Sequence, residues 1–346
     1  MEAGLEFQKR IGIQILRSFS DLNMNEMKPI FSIDLRKKAQ SPLECLRYLY
    51  LVNNDENYYR SQNVRPPLGT YNTSINRICQ KVERFCLALV AYIQSEDKSG
   101  GQHSREVLVD AIELAIYSAA EHVSDIKLIA GSFYQSNSDA KKCKDNKLLL
   151  NEVERHKRFV SAMANAIKHT QSRIRLYGIE CIHGGIPMKL HGYFIERVEN
   201  GVIGPSVVFH NTQGKVFSIS SLAWEILIFL LLCSRSLKKF LLTKNLISGP
   251  VDGPDEYFRR AAASAIALPL FSFDEDHPFS KVTICIASEN GGEKIAGNSI
   301  YGSIANRWNT ACSMQFGDQE WGFQGDSVST EFSIGYPNKV NLQHWT

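Results

Sequence analysis

Residues 104–130, SREVLVDAIELAIYSAAEHVSDIKLIA, decide the fold class, because their apolar side chains recur at steps of four and three. That period places them on one face of an α-helix. Segments 75–92 and 149–167 repeat the pattern. Helices of this length draw most of their stability from packing, so we expect an antiparallel helical bundle. The three apolar stripes are Leu108, Ile112, Ala115, Ala119, Val123, Ile126 and Ala130; Ile75, Ile78, Val82, Phe85, Leu89 and Tyr92; and Leu149, Val153, His156, Val160, Met163 and Ile167.

Beyond Arg175 the pattern changes to short β-type segments. Residues 174–182, 190–198 and 202–209 are typical of strands, with glycine-containing turns between them. Residues 219–241 are apolar on every side of a helix in their middle, which predicts a helix at the centre of the fold. The predicted fold class is therefore α+β: an N-terminal antiparallel helical bundle followed by a mixed β-rich region around a buried helix.

The clearest break in the chain is SGPVDGP at 248–254, because glycine and proline interrupt both helices and strands. An alanine-rich helix is expected at 255–268, followed by strands and turns that include 282–286. Residues 11–22 favour another helix, although a strand is also compatible with them. The predicted regions are a helical bundle at 1–172, strands plus the buried helix at 173–248, and a helix then β-rich segment at 255–346.

Several local signals predict where helices begin. Residues 72–74 and Ser104 are N-cap candidates, and Asn151 with Glu154 resembles a capping box. The helix that carries this box would run over 147–170, with a start as early as Lys147. Residues 59–71, which contain two prolines, are expected to form a long loop.

Composition limits the class of protein. A net charge of +3 over 346 residues does not by itself mark a nucleic-acid-binding protein. The strongest apolar run, 222–233, contains Glu225 and is shorter than the ~20 residues that span a bilayer. The first ten residues are too charged for the apolar core of a signal segment. Eight scattered cysteines without metal-ligand spacing suit a reducing compartment. We therefore expect a cytoplasmic protein with no membrane partner.

The third helical segment ends in AMANAIKHTQSRIR, residues 162–175. At ~100° per residue, Arg158, Asn165 and His169 fall on the face opposite the apolar stripe. Asn165 and His169 lie one turn apart and can act on one ligand. His156 lies on the apolar stripe and is interpreted as a hydrogen-bonded core histidine.

Residues 141–175 hold ten lysines and arginines against three acidic residues. Such a surplus is typical of a solvated helix face, and it also attracts RNA or an acidic partner. No RNA-binding motif accompanies it, so the solvated face is the favoured interpretation. The alternative is an RNA-contacting surface whose candidate residues are Lys157, Arg158, Lys168, Arg173 and Arg175.

A helical bundle that carries Asn165-x-x-x-His169 near the end of a late helix resembles the HEPN superfamily of bacterial defence and toxin–antitoxin proteins. In its RNase members an arginine precedes the polar residue, and the arginine and histidine act on RNA across a dimer groove. The resemblance implies His169 and Asn165 as catalytic residues and a homodimer as one possible assembly. The arginine position is Ala164 in this chain, which implies a degenerate, non-catalytic site. The match covers residues 70–172 and has no counterpart for the β-rich half.

Other chemistry has fainter signals. Asp274, Asp276 and His277 could bind a divalent cation, but a surface turn before Pro278 is the favoured interpretation. No short motif of a nucleotide triphosphatase, serine hydrolase or zinc protease is present, so we expect no cofactor. The aromatic segment 321–323 is a candidate docking surface for a protein partner.

Three functions are compatible with these features. The first is a non-catalytic binding subunit of bacterial defence or stress response. The second is an RNA-binding protein or RNase that uses residues 147–175. The third is a metal-dependent hydrolase. Whether the chain catalyses any reaction is left open.

Overall fold

The structure is a computed structural model of the chain. It describes residues 29–33, 41–52, 57–95, 101–169, 172–183, 186–199, 202–205, 217–246, 255–268, 270–273, 281–285, 293–296, 307–309, 311–313 and 333–334. These residues form an α+β protein in which helices predominate, as the sequence predicted. The helices are α1 (Leu46–Leu49), α2 (Pro67–Ser95), α3 (Gly101–Gly131), α4 (Asn137–Lys142), α5 (Lys144–His156), α6 (Arg158–His169), α7 (Ile219–Leu242) and α8 (Glu256–Ile266).

Helices α2 and α3 form a long antiparallel hairpin. Ser74, near the start of α2, contacts His122 and Asp125, near the end of α3. The apolar stripes predicted for the two helices are buried along their whole length. Shared burial of two such stripes removes a large apolar area from water and holds the hairpin together.

The predicted starts of these two helices are wrong by several residues. Helix α2 begins at Pro67, whose fixed φ and missing N–H suit the first helical position. Ser74 is interior, and its hydroxyl bonds to α3 instead of capping α2. Ser104 likewise lies inside α3, which begins at Gly101. The loop expected at 59–71 consequently ends before Pro67.

Helix α7 lies in the core, as its sequence predicted. Residues 222–231 are all buried, and the same apolar cluster includes side chains from α2, α3, α5, α6 and α8. Glu225 is the acidic residue in this stretch. Within the described parts of the chain, no helix combines the length and apolar character needed to cross a membrane.

Helix α8 follows the predicted break at 248–254, which lies outside the described residues. It packs on α2, where Arg260 binds both carboxylate oxygens of Glu83 at 2.8 Å. Phe258 and Ala261 of α8 enter the same core as the first helices. The division of the chain at this break stays a prediction.

The strands are β1 (Pro29–Ile33), β2 (Ile174–His183), β3 (Ile186–Glu199), β4 (Val202–Pro205), β5 (Phe217–Ser218), β6 (Leu270–Phe273), β7 (Lys281–Cys285), β8 (Glu293–Ala296), β9 (Arg307–Asn309), β10 (Ala311–Ser313) and β11 (Ser333–Ile334). The largest sheet has the order β10-β2-β3-β4-β11, with β5 also paired to β3. β2 and β3 form the predicted hairpin, from Ile174 opposite Ile195 to His183 opposite Ile186. Smaller antiparallel sheets join β6-β7-β9 and β1-β8.

Candidate nucleic-acid interface

The segment that carries Asn165 and His169 is two helices with one turn residue between them. Lys157 separates α5 from α6, whereas the sequence predicted one helix over 147–170. Its own N–H bonds to Val153 at 2.9 Å, and its carbonyl accepts from Ser161 at 2.8 Å. The i to i−4 pattern therefore continues across the break, and the side chains stay in helical phase.

The start of this segment differs from the predicted capping box. Helix α5 begins at Lys144 after Cys143, so Asn151 and Glu154 lie in its interior. Glu154 binds Lys127 at 2.6 Å and Lys157 at 2.9 Å. Glu154 therefore pairs with lysines of α3 and of the turn after α5, and it does not mark a helix start.

The apolar face of α5 and α6 is buried as predicted. Leu149, Val153, Val160 and Met163 are all in the core. His156 is half-buried, and its Nε2 lies 3.1 Å from the Ser236 hydroxyl of α7. Burial lowers the pKa of His156, with Glu152 opposing that shift. This supports the interpretation of His156 as a hydrogen-bonded core residue.

The opposite face carries an exposed polar row at steps of three and four, which we call the basic ridge. It extends for about 37 Å if each of the 25 residue steps rises ~1.5 Å. Leu148 and Ala162 lie within the row and are also exposed. The polar members of the basic ridge are Lys144, Lys147, Asn151, Arg155, Arg158, Asn165 and His169.

The acidic residues of this segment are already neutralised by other cations. Asp145 binds Lys244 at 2.6 Å, and Glu152 binds Lys239 at 3.2 Å. Burial favours a higher pKa for Asp145, but hydrogen bonds from Lys244 and Tyr134 outweigh it and lower the pKa to about 2. Both carboxylates are thus held charged against lysines of α7 or the turn that follows it.

The four basic side chains of the ridge have no such partner. Within the part of the chain that the structure describes, Lys144, Lys147, Arg155 and Arg158 make no ion pair. Their charge is available to a ligand. The sequence had counted these residues in the basic surplus but singled out only Arg158. The steps of three, four, four and three from Lys144 to Arg158, counted through Asn151, are the signal that would have grouped them.

The other predicted RNA contacts have different surroundings. Lys157 is half-buried against Glu154, and the Lys168 ammonium lies 4.5 Å from the centre of the Tyr117 ring. Arg173 is exposed beyond the end of α6. Arg175 is only 6% exposed and binds Glu196 at 2.6 Å. Arg175 is therefore not part of the exposed surface, contrary to the expectation from sequence.

Asn165 and His169 share the exposed face of α6, one turn apart. Ala164, at the position where the HEPN resemblance expects arginine, is 4% exposed and faces the core. No arginine could stand there and reach a ligand on the ridge. Position 164 therefore supplies no basic side chain beside His169.

Comparison of the chain with family models, curated proteins and solved structures finds no match.

A cavity of about 490 Å³ lies beside the ridge, between α5 and α7. Its apolar lining includes Leu148, Leu149 and Phe240. Its polar lining includes the carboxylate of Glu152 and the hydroxyl of Ser236, which donates to Glu152 at 2.7 Å. No pattern in the sequence indicated this cavity, because it forms between helices that lie about ninety residues apart.

A second polar cluster lies between α2 and α3. Ser74 donates to Asp125 at 2.5 Å, and its oxygen lies 2.8 Å from Nδ1 of His122. Arg77 also binds Asp125, at 2.9 Å. His122 and Ser74 are buried, and burial lowers the pKa of His122 to about 3. The residue types resemble those of a hydrolase site. Ser74 and His122 are both buried, so we interpret the cluster as structural. Asp125 and Arg77 at its edge are partly exposed.

The remaining candidate residues lie outside the described residues. Asp274, Asp276 and His277 are among them, and so is the aromatic segment 321–323. Among the residues that the structure does describe, no group of three histidine, cysteine or acidic side chains could hold a metal ion. The metal-dependent hydrolase therefore stays a prediction.

Proposed function

We propose that the protein is a non-catalytic binding subunit that holds RNA along the basic ridge. One observation carries this proposal: four exposed basic side chains without ion pairs are aligned on one face of α5 and α6. Phosphate contacts by lysine and arginine supply most of the affinity of proteins for nucleic acid.

The uncharged members of the ridge fit the same ligand. Asn151, Asn165 and His169 are exposed between or beyond the four basic side chains. Amide and imidazole groups hydrogen-bond to phosphate and sugar oxygens, including the 2′-hydroxyl that distinguishes RNA from DNA. Binding along such a row depends little on sequence, because it reads the backbone.

The absence of catalysis is the second part of the proposal. Hydrolysis of the RNA backbone needs groups that move protons and stabilise charge at the reacting phosphate. His169 could move a proton, but the position that would supply a neighbouring arginine is Ala164, in the core. We therefore expect binding without cleavage.

The cellular setting belongs to the same proposal. The order of helices with Asn165 and His169 at the end of α6 supports an HEPN-like bundle, and with it a role in bacterial defence or stress response. Among the described residues, the thiols of Cys45, Cys79, Cys86 and Cys233 are free and buried. Free thiols of this kind suit the reducing cytoplasm.

Fluorescence anisotropy with a labelled single-stranded RNA tests the proposal. The triple variant Lys147→Glu, Arg155→Glu and Arg158→Glu changes the net charge from +3 to −3. Each lost phosphate contact flattens the plot of log affinity against log salt by about 0.7 for a single strand, so three should flatten it by about 2.

A matched control carries the same change in net charge on other surfaces. Arg60, Arg65 and Arg84 are exposed on or before α2, and the triple variant with glutamate at each also has a net charge of −3. Equal loss of binding in both triple variants would show that only net charge matters. It would contradict the proposal that the basic ridge is the RNA-binding surface. Cleavage of the RNA by the wild-type protein would overturn the non-catalytic part.

A further inference from the structure

The cavity between α5 and α7 opens directly beside the basic ridge. Lys144 and Leu148 belong to both, since they lie on the ridge face of α5 and also line the cavity. Leu148 is 55% exposed and places apolar surface at the mouth of the cavity. A ligand that follows the ridge therefore passes the mouth of the cavity.

The cavity has the composition of a small-molecule site rather than of a packing defect. Leu148, Leu149 and Phe240 supply apolar surface, while Glu152, Ser236 and Thr243 supply polar atoms. Its volume of about 490 Å³ falls in the range of ligand pockets, which are mostly apolar with a few placed polar groups.

We propose that this cavity takes one unstacked base of the single-stranded RNA whose phosphates bind the basic ridge. The proposal rests on the proposed function, because the ridge is what brings the strand to the cavity. Proteins that bind single strands combine a basic track with apolar surface for the bases, since every base has a planar face that leaves water readily. Lys144 at the mouth binds the phosphate next to the inserted base.

The polar lining favours a base that carries an exocyclic amino group. Oε2 of Glu152 accepts from Ser236 at 2.7 Å and from Lys239 at 3.3 Å. Oε1 accepts only from Lys239, at 3.2 Å, among the described residues. A carboxylate oxygen accepts up to two hydrogen bonds, so Oε1 has room for an amino group. Adenine, cytosine and guanine present one, and uracil does not.

The test fills the cavity without touching the ridge. Thr243 is exposed and lines the cavity, so Thr243→Trp places an indole in the space. Leu242→Trp is the matched control, since Leu242 is the neighbouring exposed residue and does not line the cavity. Thr243→Phe is a smaller filler, for use if the tryptophan variant has an altered melting temperature.

The probes are single-stranded RNAs of about ten nucleotides, a length within the range that such sites occupy. Oligo(C) and oligo(U) are compared by anisotropy, and a central 2-aminopurine in oligo(C) reports unstacking by a rise in fluorescence. Wild type and Leu242→Trp should bind oligo(C) more tightly than oligo(U) and give the rise. Thr243→Trp should lose the rise and about tenfold in affinity for oligo(C), with little change for oligo(U).

The outcomes separate this inference from the proposed function. Equal binding of oligo(C) and oligo(U), together with an unchanged 2-aminopurine rise in Thr243→Trp, would overturn base insertion. If the reversal of Lys147, Arg155 and Arg158 to glutamate still weakened binding in that case, the proposal that the ridge binds RNA would remain supported. If the reversal left binding unchanged, the ridge itself would be wrong and base insertion with it.

Discussion

Arg175 of β2 and Glu196 of β3 form a buried ion pair, with Nε of the arginine 2.6 Å from Oε2 of the glutamate. Removing one partner of such a pair leaves an uncompensated charge in the core. Replacing both partners with apolar residues is often neutral. The pair ties together the two strands that follow directly after α6.

We expect Glu196→Leu to lower the free energy of unfolding by about 3–5 kcal/mol, because the guanidinium of Arg175 stays buried without it. The double variant Arg175→Met with Glu196→Leu should recover most of that loss. Urea unfolding measures both. A double variant no more stable than Glu196→Leu would show that the guanidinium is not the cause.

Glu225 makes the stability of the protein fall as the pH rises above the usual pKa of a glutamate. Burial in α7 raises the pKa of its carboxyl well above the usual value, and Oε2 has no hydrogen-bond partner in the described structure. Between the unfolded and folded pKa values, the folded chain keeps a proton that the unfolded chain has lost. The free energy of unfolding therefore falls as pH rises through that window, by about 1.4 kcal/mol for each unit of pKa shift.

Glu225→Gln removes this titration while it keeps the shape of the side chain. The variant should gain stability relative to wild type as the pH is raised from 5 to 8, measured by urea unfolding at each pH. Parallel curves for the two proteins would show that Glu225 does not carry a shifted pKa.

His122 has the opposite effect, because it lowers the stability of the protein as the pH falls below 6.5. Burial lowers its pKa from about 6.5 to about 3, with a smaller contribution from Arg77. Below pH 6.5 the unfolded chain binds a proton that the folded chain excludes, so stability is lost as the pH falls towards 3. The loss is on the order of 5 kcal/mol over the whole window.

His122→Asn lacks this titration but keeps a polar group that can reach Ser74. Its free energy of unfolding should fall less steeply than that of wild type between pH 6.5 and 4, even if it starts lower. The comparison is made by chemical unfolding with circular dichroism. Equal slopes would contradict the assignment of the acid sensitivity to His122.

Sequence periodicity predicted the elements whose burial follows one helical face. The stripes of α2, α3, α5 and α6 and the all-round burial of α7 are examples, because each follows from spacing within one segment. Predicted helix starts failed where a side chain found a tertiary partner, as Ser74 did in Asp125. Local capping signals carry no information on partners about fifty residues away.

The candidate site likewise has features that local spacing predicts and features that depend on tertiary partners. The exposed face with Arg158, Asn165 and His169 followed from helical phase alone. The burial of Arg175 did not, because it depends on Glu196 across a strand pair. Charge counts over a segment cannot tell a lysine that is paired from one that is free. Pairing is a property of the folded chain.

Substitutions at Ala164 and Ala162 test the proposed resemblance to HEPN proteins against the placement of the ridge. Ala164 is buried and Ala162 is exposed, although only two residues of the same helix separate them. Ala164→Arg would restore the arginine that the resemblance expects, but it would bury a charge in a packed core. We expect it to lower the free energy of unfolding by more than about 3 kcal/mol without creating RNase activity.

Ala162→Arg is the matched control, since it adds the same side chain on the ridge face. It should change stability by less than about 0.5 kcal/mol, because its position is exposed. It should also tighten RNA binding and steepen the salt dependence by about 0.7, as one added phosphate contact requires. Urea unfolding, anisotropy and a fluorogenic RNA cleavage assay are applied to both variants. A stable Ala164→Arg variant that cleaves RNA would show that position 164 reaches the ridge and that the site is an RNase active centre with one residue missing.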